Sequence, residues 1–428
     1  MERYLINYLK EHASDAIVKK YVDFFKIELD WYIYNYGEHI SKRYHRNAKL
    51  CLKERLYKKY QRFSAQYCPL SFRSDSKNIL SSLHLSDKKL LVSMGFNPFS
   101  SILQPVGKTQ IIGDRGTLYI DKVLREKLAG GSFTDIYNET FFYELEDYQS
   151  NIIRQYQQLD LRALFLYTDQ YFASKYLIDI FKQINRPSFV FSHGLPGIYS
   201  KDVDNRTDYL MVWGEKIKEN YIKIGGFSPD KIKVVGNVKY RTIWGKERLK
   251  NSLEDVLVIP CSSALWHQHQ WNTPTMIDRS MIVLYLYQVQ NVLLRCGVKH
   301  ARFRPHPSLD KSWVYGFIDK TFYEMDNQSL FDSIHSSSLV IGASSTTFLE
   351  VLMYNVNYLL YEPVDENGVG ICNTKRVPPF DGTESNLQIA KNEEELEYMI
   401  KNRYQTPRNV LEGYMQPLDL SVLKTLVK

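Results

Sequence analysis

Cysteine is scarce in this chain: five among 428 residues, at Cys51, Cys68, Cys261, Cys296 and Cys372. They are odd in number and widely scattered, without paired metal-type spacing, which argues against a disulfide framework or a zinc module. No uninterrupted run approaches the roughly 18 apolar residues of a membrane-spanning helix. The opening residues, Met1 to Tyr8, carry no signal-peptide apolar region, so the expected location is a reducing cytoplasm. A Walker loop and a Gly-x-Gly-x-x-Gly fingerprint are both missing, which sets aside ATPase and dehydrogenase readings. No Gly-x-Ser-x-Gly elbow supports hydrolysis. Internal repeats, heptad runs and low-complexity segments are also absent.

What is present reads as an α/β protein with more than one core. A length of 428 residues exceeds the usual single-core size, and 44 % hydrophobic with 24 % charged residues is ordinary globular composition. Residues 1–75 are expected to form a helical extension. A first domain at 76–250 follows, with apolar strand-like runs near 89–95, 110–113, 163–167, 188–192, 209–213 and 231–235 and helical stretches between most of them. A second alternating series opens at Asp255 and fills 251–428. Strands alternating with helices predict parallel sheets, hence two doubly wound Rossmann-like domains facing a cleft. The last helices, near 393–402 and 418–427, follow a Pro-rich stretch at 377–379 and are candidates to cross back over the first domain.

Net charge is +7 and uneven: residues 42–62 hold nine Lys or Arg against a single acidic residue, Glu54. Tyr44, Leu52, Leu56, Tyr57 and Tyr60 interleave with them. Such a stretch is either a surface helix attracted to anionic lipid or the solvated face of an ordinary helix. Nucleic acid is not an expected partner, since no reader motif accompanies the charge.

The chemistry concentrates in Ser338 to Glu350. Leu339, Val340 and Ile341 form a buried-strand run, Gly342 and Ala343 permit a close turn, and Ser344, Ser345, Thr346 and Thr347 supply hydroxyls at a helix start. Backbone N–H groups and hydroxyls there suit a phosphate, and Glu350 stands further along, where a carboxylate can accept from ribose hydroxyls. Capped strand-to-helix turns are common and most bind nothing. A second element makes the coincidence more pointed: a strand from Ala301 delivers Arg304 and His306 into a loop stiffened by Pro305 and Pro307. Ligands of open α/β sheets sit beyond the carboxyl ends of strands, where both elements would lie.

Over roughly residues 88–365 these motifs resemble the GT-B glycosyltransferases, particularly bacterial enzymes that build surface polysaccharides from cytidine-activated donors. Sialyltransferases, capsule Kdo transferases and CDP-glycerol glycerophosphotransferases are similar in carrying a His-Pro element, here His306 and Pro307, and a later paired-serine element, here Ser344 and Ser345. The resemblance implies that these residues, with Thr346, hold the donor phosphate and that Glu350 holds the ribose. Phe191 to Gly197 resembles the His-Gly element of glycerophosphotransferases, which implies a catalytic His193. Trp213 and Gly214, then Gly225 to Asn237, resemble the end of a GT-B first domain. Two departures stand out. Gly342 and Ala343 replace the Asp-Tyr that precedes the paired serines of glycerophosphotransferases, and Gly113 to Gly116 is a poor version of the acidic sialyltransferase element.

Sugar transfer needs a base for the acceptor hydroxyl and a positive environment for the departing phosphate. His193 is the candidate base, with Asp114 and Asp169 as alternatives that also suit helix caps. Arg304, His306 and the serine turn would stabilise the leaving group with neither an organic cofactor nor an essential metal. Asp202 with Asp204, and His267 with His269, are too few ligands for a metal site. The expected activity is transfer from a CMP-Kdo or CMP-sialic acid type donor to a polysaccharide or lipid-linked acceptor, with an anionic inner-membrane surface as a candidate partner of residues 42–62. A CDP-polyol phosphotransferase, a sugar-nucleotide epimerase and a non-catalytic envelope-assembly scaffold remain alternatives.

Overall fold

A computed structural model describes residues 4–26, 72–73, 90–94, 109–112, 138–158, 161–201, 205–237, 248–260, 280–306, 314–372 and 376–427. The basic stretch 42–62, Asp114, Pro307, Asp202, Asp204, His267 and His269 lie outside these residues.

The chain opens with helices α1 (Tyr4–Glu11) and α2 (Ala16–Phe24). A first sheet follows, made of β1 (Phe72–Arg73), β2 (Leu90–Met94), β3 (Thr109–Ile112), then after α3 (Glu139–Tyr156) β4 (Leu161–Leu166), after α4 (Phe172–Gln183) β5 (Ser188–Phe191) and β6 (Tyr209–Val212), and after α5 (Glu215–Lys223) β7 (Ile232–Val234). Their order is β1-β3-β2-β4-β5-β6-β7. Every pairing is parallel except β1 with β3. β4 and β5 are buried almost throughout, as near-continuous apolar runs must be when helices cover both faces of a parallel sheet. On α4, Phe172, Tyr176 and Ile180 recur every four residues, so they share one face, and that face is buried.

The second sheet contains β8 (Val256–Ile259), then after α6 (Ser280–Arg295) β9 (Ala301–Phe303) and β10 (Tyr323–Met325), after α7 (Leu330–Ser336) β11 (Leu339–Gly342), and after α8 (Thr347–Met353) β12 (Tyr358–Tyr361) and β13 (Ile389–Ala390). All its pairings are parallel, and the order is β10-β9-β8-β11-β12-β13. In chain order within this domain that is 3-2-1-4-5-6, the Rossmann arrangement, whose switch point lies between β8 and β11. The two doubly wound α/β units implied by the GT-B resemblance are therefore present.

Both chain ends pack on the first sheet's domain. Ile6, Leu9, Val18, Tyr21, Val22 and Phe25 belong to the same core as Phe142 and Phe172, with the Phe25 and Phe172 rings stacked 4.5 Å apart. Lys175 adds a donor to the carbonyls of Asp23 and Phe24, at 2.8 and 3.2 Å. The first helices of the expected 1–75 extension are thus part of the domain's core. After α9 (Glu393–Lys401), the helices α10 (Arg408–Tyr414) and α11 (Ser421–Leu426) leave the second sheet. Leu420, Leu423 and Val427 cover Phe165, Phe189, Phe191 and Met211, so the tail of 251–428 crosses back over the first domain, the course for which the last helices were candidates. The crossing is clamped by backbone bonds from Gln416 N to Trp213 O (2.8 Å) and from Asp419 N to Val235 O (2.8 Å). Gly236 makes it fit: its φ is +79°, and a Cβ there would meet Pro417 O at 2.1 Å.

Candidate active site

The serine turn leaves the carboxyl end of β11, beside the switch point of the second sheet. Its donors are not all available. The Ser344 amide donates to the Glu362 carboxylate at the end of β12. Ser345 Oγ accepts from Thr347 N at 3.2 Å and starts α8. Thr346, expected to face the ligand, instead accepts through Oγ1 from Leu195 N of the first domain at 3.0 Å and makes no helix-capping bond. α8 spans only seven residues, so anion binding here rests on local N–H groups and hydroxyls rather than on a long helix. Ser344 Oγ is buried beside the same Glu362 carboxylate, whose pKa it helps to lower.

That Leu195–Thr346 bond brings the His193 loop against the serine turn. Gly194 is what permits the approach, since a Cβ on it would stand 2.2 Å from Thr346 Oγ1. Ser192 Oγ donates to Gly194 O at 2.6 Å and tightens the loop. His193 keeps an exposed edge, while the crowding around it lowers its pKa by disfavouring the charged ring. Its ring centre is 5.4 Å from that of Tyr167, at the end of β4. Burial, and then the charge of Glu350, raise the Tyr167 pKa.

The remaining expected site residues divide. His306 follows β9 and is half-buried, and burial lowers its pKa. Arg304 is engaged elsewhere: its NH1 donates to Gln328 O at 2.9 Å and Ser333 Oγ at 3.0 Å and lies 3.6 Å from the buried Asp326 carboxylate. It anchors the connection from β10 to α7. Asp169 is fully buried, accepts from Arg206 N at 3.0 Å and pairs with that guanidinium at 3.8 Å. Burial raises its pKa despite Arg206. A carboxyl closed to solvent and holding the 205–206 segment cannot meet an acceptor hydroxyl, so Asp169 drops out as a base. Glu350 is only 3 % exposed.

Sequence reasoning missed Glu362 and Tyr167. Each stands just past a strand end, a usable signal, but relevance depends on strand order. Glu362 reaches the serine turn only because β12 lies next to β11. Burial raises its pKa, opposed by the bond from Ser344. Among the described residues no group of three His, Cys, Asp or Glu could hold a metal ion, and no helix is long and apolar enough to cross a membrane.

No family model matches the sequence, and no curated protein does. Solved structures similar to the chain include Acinetobacter baumannii MurG, at 11 % identity and TM-score 0.43 over 80 % of this chain and 99 % of that one. A UDP-N-acetylglucosamine 2-epimerase from Rickettsia bellii overlaps at 12 % identity and TM-score 0.42, over 79 % and 94 %. A variant of the wall teichoic acid polymerase TagF overlaps at 10 % identity and TM-score 0.40, over 79 % and 88 %. Likeness at these scores and identities bears on neither family nor chemistry.

Proposed function

We propose that the chain is a glycosyltransferase that moves a sugar from a cytidine-activated donor, of the CMP-Kdo or CMP-sialic acid type, to a bacterial surface polysaccharide acceptor. The observation that carries this reading is the meeting of two strand-end loops, one from each sheet, joined by the Leu195–Thr346 hydrogen bond. One brings an imidazole; the other brings hydroxyls and N–H groups at a topological switch point. His193 would take the proton of the acceptor hydroxyl as that oxygen bonds to the anomeric carbon. The bond from carbon to phosphate oxygen breaks, and its electron pair stays on the phosphate beside Ser344, Ser345 and His306. Glu362 favours a donor with a single phosphate, because its carboxyl already occupies the Ser344 amide and leaves fewer free donors at the turn for a second phosphate. The basic stretch 42–62 would hold the enzyme near an anionic membrane carrying a lipid-linked acceptor.

A CDP-polyol phosphotransferase is the second reading, favoured by the His193–Gly194 element. Thermal stabilisation of the full chain by CMP, CDP, UMP, UDP and GDP tests both. Selective stabilisation by CMP supports the first, preference for CDP the second, and no stabilisation by any nucleotide refutes both.

A further inference from the structure

Two arginines at β9 and its exit reach one buried carboxylate. Arg302 NH1 and Arg304 NH1 each lie 3.6 Å from Asp326 Oδ2, and the Asp326 side chain is 1 % exposed. The parallel register of β10 on β9 sets Met325 against Phe303, so residues 326 and 304 leave the two strands side by side, with Asp326 N donating to Phe303 O at 2.8 Å. The arginines do not depend on Asp326 equally. Arg302 also donates from Nε to Asp255 Oδ1 at 2.8 Å and from NH2 to Ser337 Oγ at 2.8 Å and Ser333 O at 3.1 Å. Arg304 has Asp326 as its one ion-pair partner among the described residues and closes a small ring with it: Arg304 NH1 donates to Gln328 O at 2.9 Å, and Gln328 N donates to Asp326 Oδ1 at 3.0 Å. A buried charge stripped of its partner is costly. Without Asp326, Arg304, the more exposed of the two, is the one that would turn out to water.

Arg304 is also the last pinned residue before His306. Its N–H donates to Val258 O of β8 at 2.9 Å, Pro305 fixes the next φ, and His306 follows directly. We propose that Asp326 is a positioning residue of the donor site: by holding the Arg304 guanidinium it sets the turn that carries His306 at the carboxyl edge shared with the serine turn. This rests on the transferase reading above. The strand order β9-β8-β11 puts the His306 turn and the serine turn on either side of β8, so a shift of the first turn changes the width of the phosphate site. Arg304 itself acts through the turn it braces, since reaching a phosphate would break its bonds to Gln328 O and Ser333 Oγ and separate it from Asp326.

The test uses the full chain with Asp326→Asn, His306→Ala and the two together. CMP affinity is measured by calorimetry, and the His306 titration by NMR of isotope-labelled histidine. Asp326→Asn should weaken CMP binding about tenfold by itself but less than about twofold when His306 is already alanine, because residues that act through one another do not add. In Asp326→Asn the His306 midpoint should rise toward the ordinary histidine value, since burial is what lowers it and a loosened turn lets water reach the ring. Loss of the carboxylate charge alone would lower it, so the sign separates movement of the turn from an effect of the field. An equal loss of affinity in both backgrounds would make Asp326 a stabiliser of the domain and overturn the proposal, as would unchanged affinity. Tighter binding would mean that the freed Arg304 reaches the phosphate, and overturns it too. A midpoint that stays or falls overturns it without further evidence. If the wild type binds no CMP, the transferase reading fails by itself, and the midpoint alone decides whether Asp326 positions His306. Should Asp326→Asn not fold, Arg304→Lys keeps the charge but shortens the reach and loses the planar fork, and the same loss, coupling and rise are required of it.

Discussion

Replacing Gly194 by alanine puts a Cβ 2.2 Å from Thr346 Oγ1, 3.0 Å from its Cγ2 and 3.1 Å from its Cβ. Backbone strain is not involved, because Gly194 lies outside the left-handed region. The neighbour cannot yield easily: Thr346 is β-branched with restricted χ1, and its Oγ1 holds Leu195 N. Overpacking of this kind costs about 1–3 kcal/mol, and a neutral hydrogen bond contributes about 0.5–1.5 kcal/mol. Gly194→Ala should therefore lower stability by about 1.5–4.5 kcal/mol if both are lost. Thr346→Ala should lose only the hydrogen bond. In the double variant the crowding atoms Oγ1 and Cγ2 are gone, so Gly194→Ala should cost at least about 1 kcal/mol less there than in wild type. Denaturant unfolding of the four proteins measures that coupling. Additivity within about 0.5 kcal/mol would refute the claim that the two loops are in contact.

His193→Ala should lower turnover about 10²–10⁴-fold with CMP affinity nearly unchanged, read from steady-state kinetics beside calorimetry. The neutral ring is the active form and burial holds its pKa below the ordinary histidine value. The acid limb of kcat/KM should therefore fall below that value, with activity lost as pH drops through it. Ser344→Ala with Ser345→Ala should weaken CMP binding by about 1.5–3 kcal/mol if these hydroxyls hold a charged phosphate; wild-type affinity in the folded variant would reduce the turn to a helix start. Glu362→Ala should destabilise by about 1–3 kcal/mol by orphaning the Ser344 amide, whereas Glu362→Gln keeps an acceptor and should unfold close to wild type at neutral pH. Because the folded Glu362 pKa is raised, its contribution is fully present below the ordinary carboxylate range and is lost as pH rises through the folded value. The stability–pH curve of Glu362→Gln should be correspondingly flatter, and an unchanged slope would count against that linkage.

Much of the architecture was legible because buried parallel strands and amphipathic helices leave local signatures. The apolar runs of β4, β5, β11 and β12 and the helices at 330–336 and 393–401 stand within about two residues of where periodicity put them. The short strands β10 and β13, of three and two residues, carry too few side chains for a pattern, and α10, seven residues behind Pro407, is too short to show a clear helical period. His193 and the serine turn were legible as motifs. Their mutual contact was not, because a hydrogen bond between residues 195 and 346 leaves no trace in either local pattern.

The sequence by itself determined composition, the alternation of strand and helix, and the residue types able to bind phosphate and move a proton. Those follow from nearest-neighbour sterics and from hydrophobic periods of 2 and 3.6 residues. Tertiary structure alone decided what each polar group touches. It tied Arg304 to Asp326, closed Asp169 around Arg206, turned Thr346 toward Leu195 and gave the Ser344 amide to Glu362. A buried polar group must find a partner wherever the packed chain presents one, and strand order, not sequence distance, determines which groups are near enough to serve.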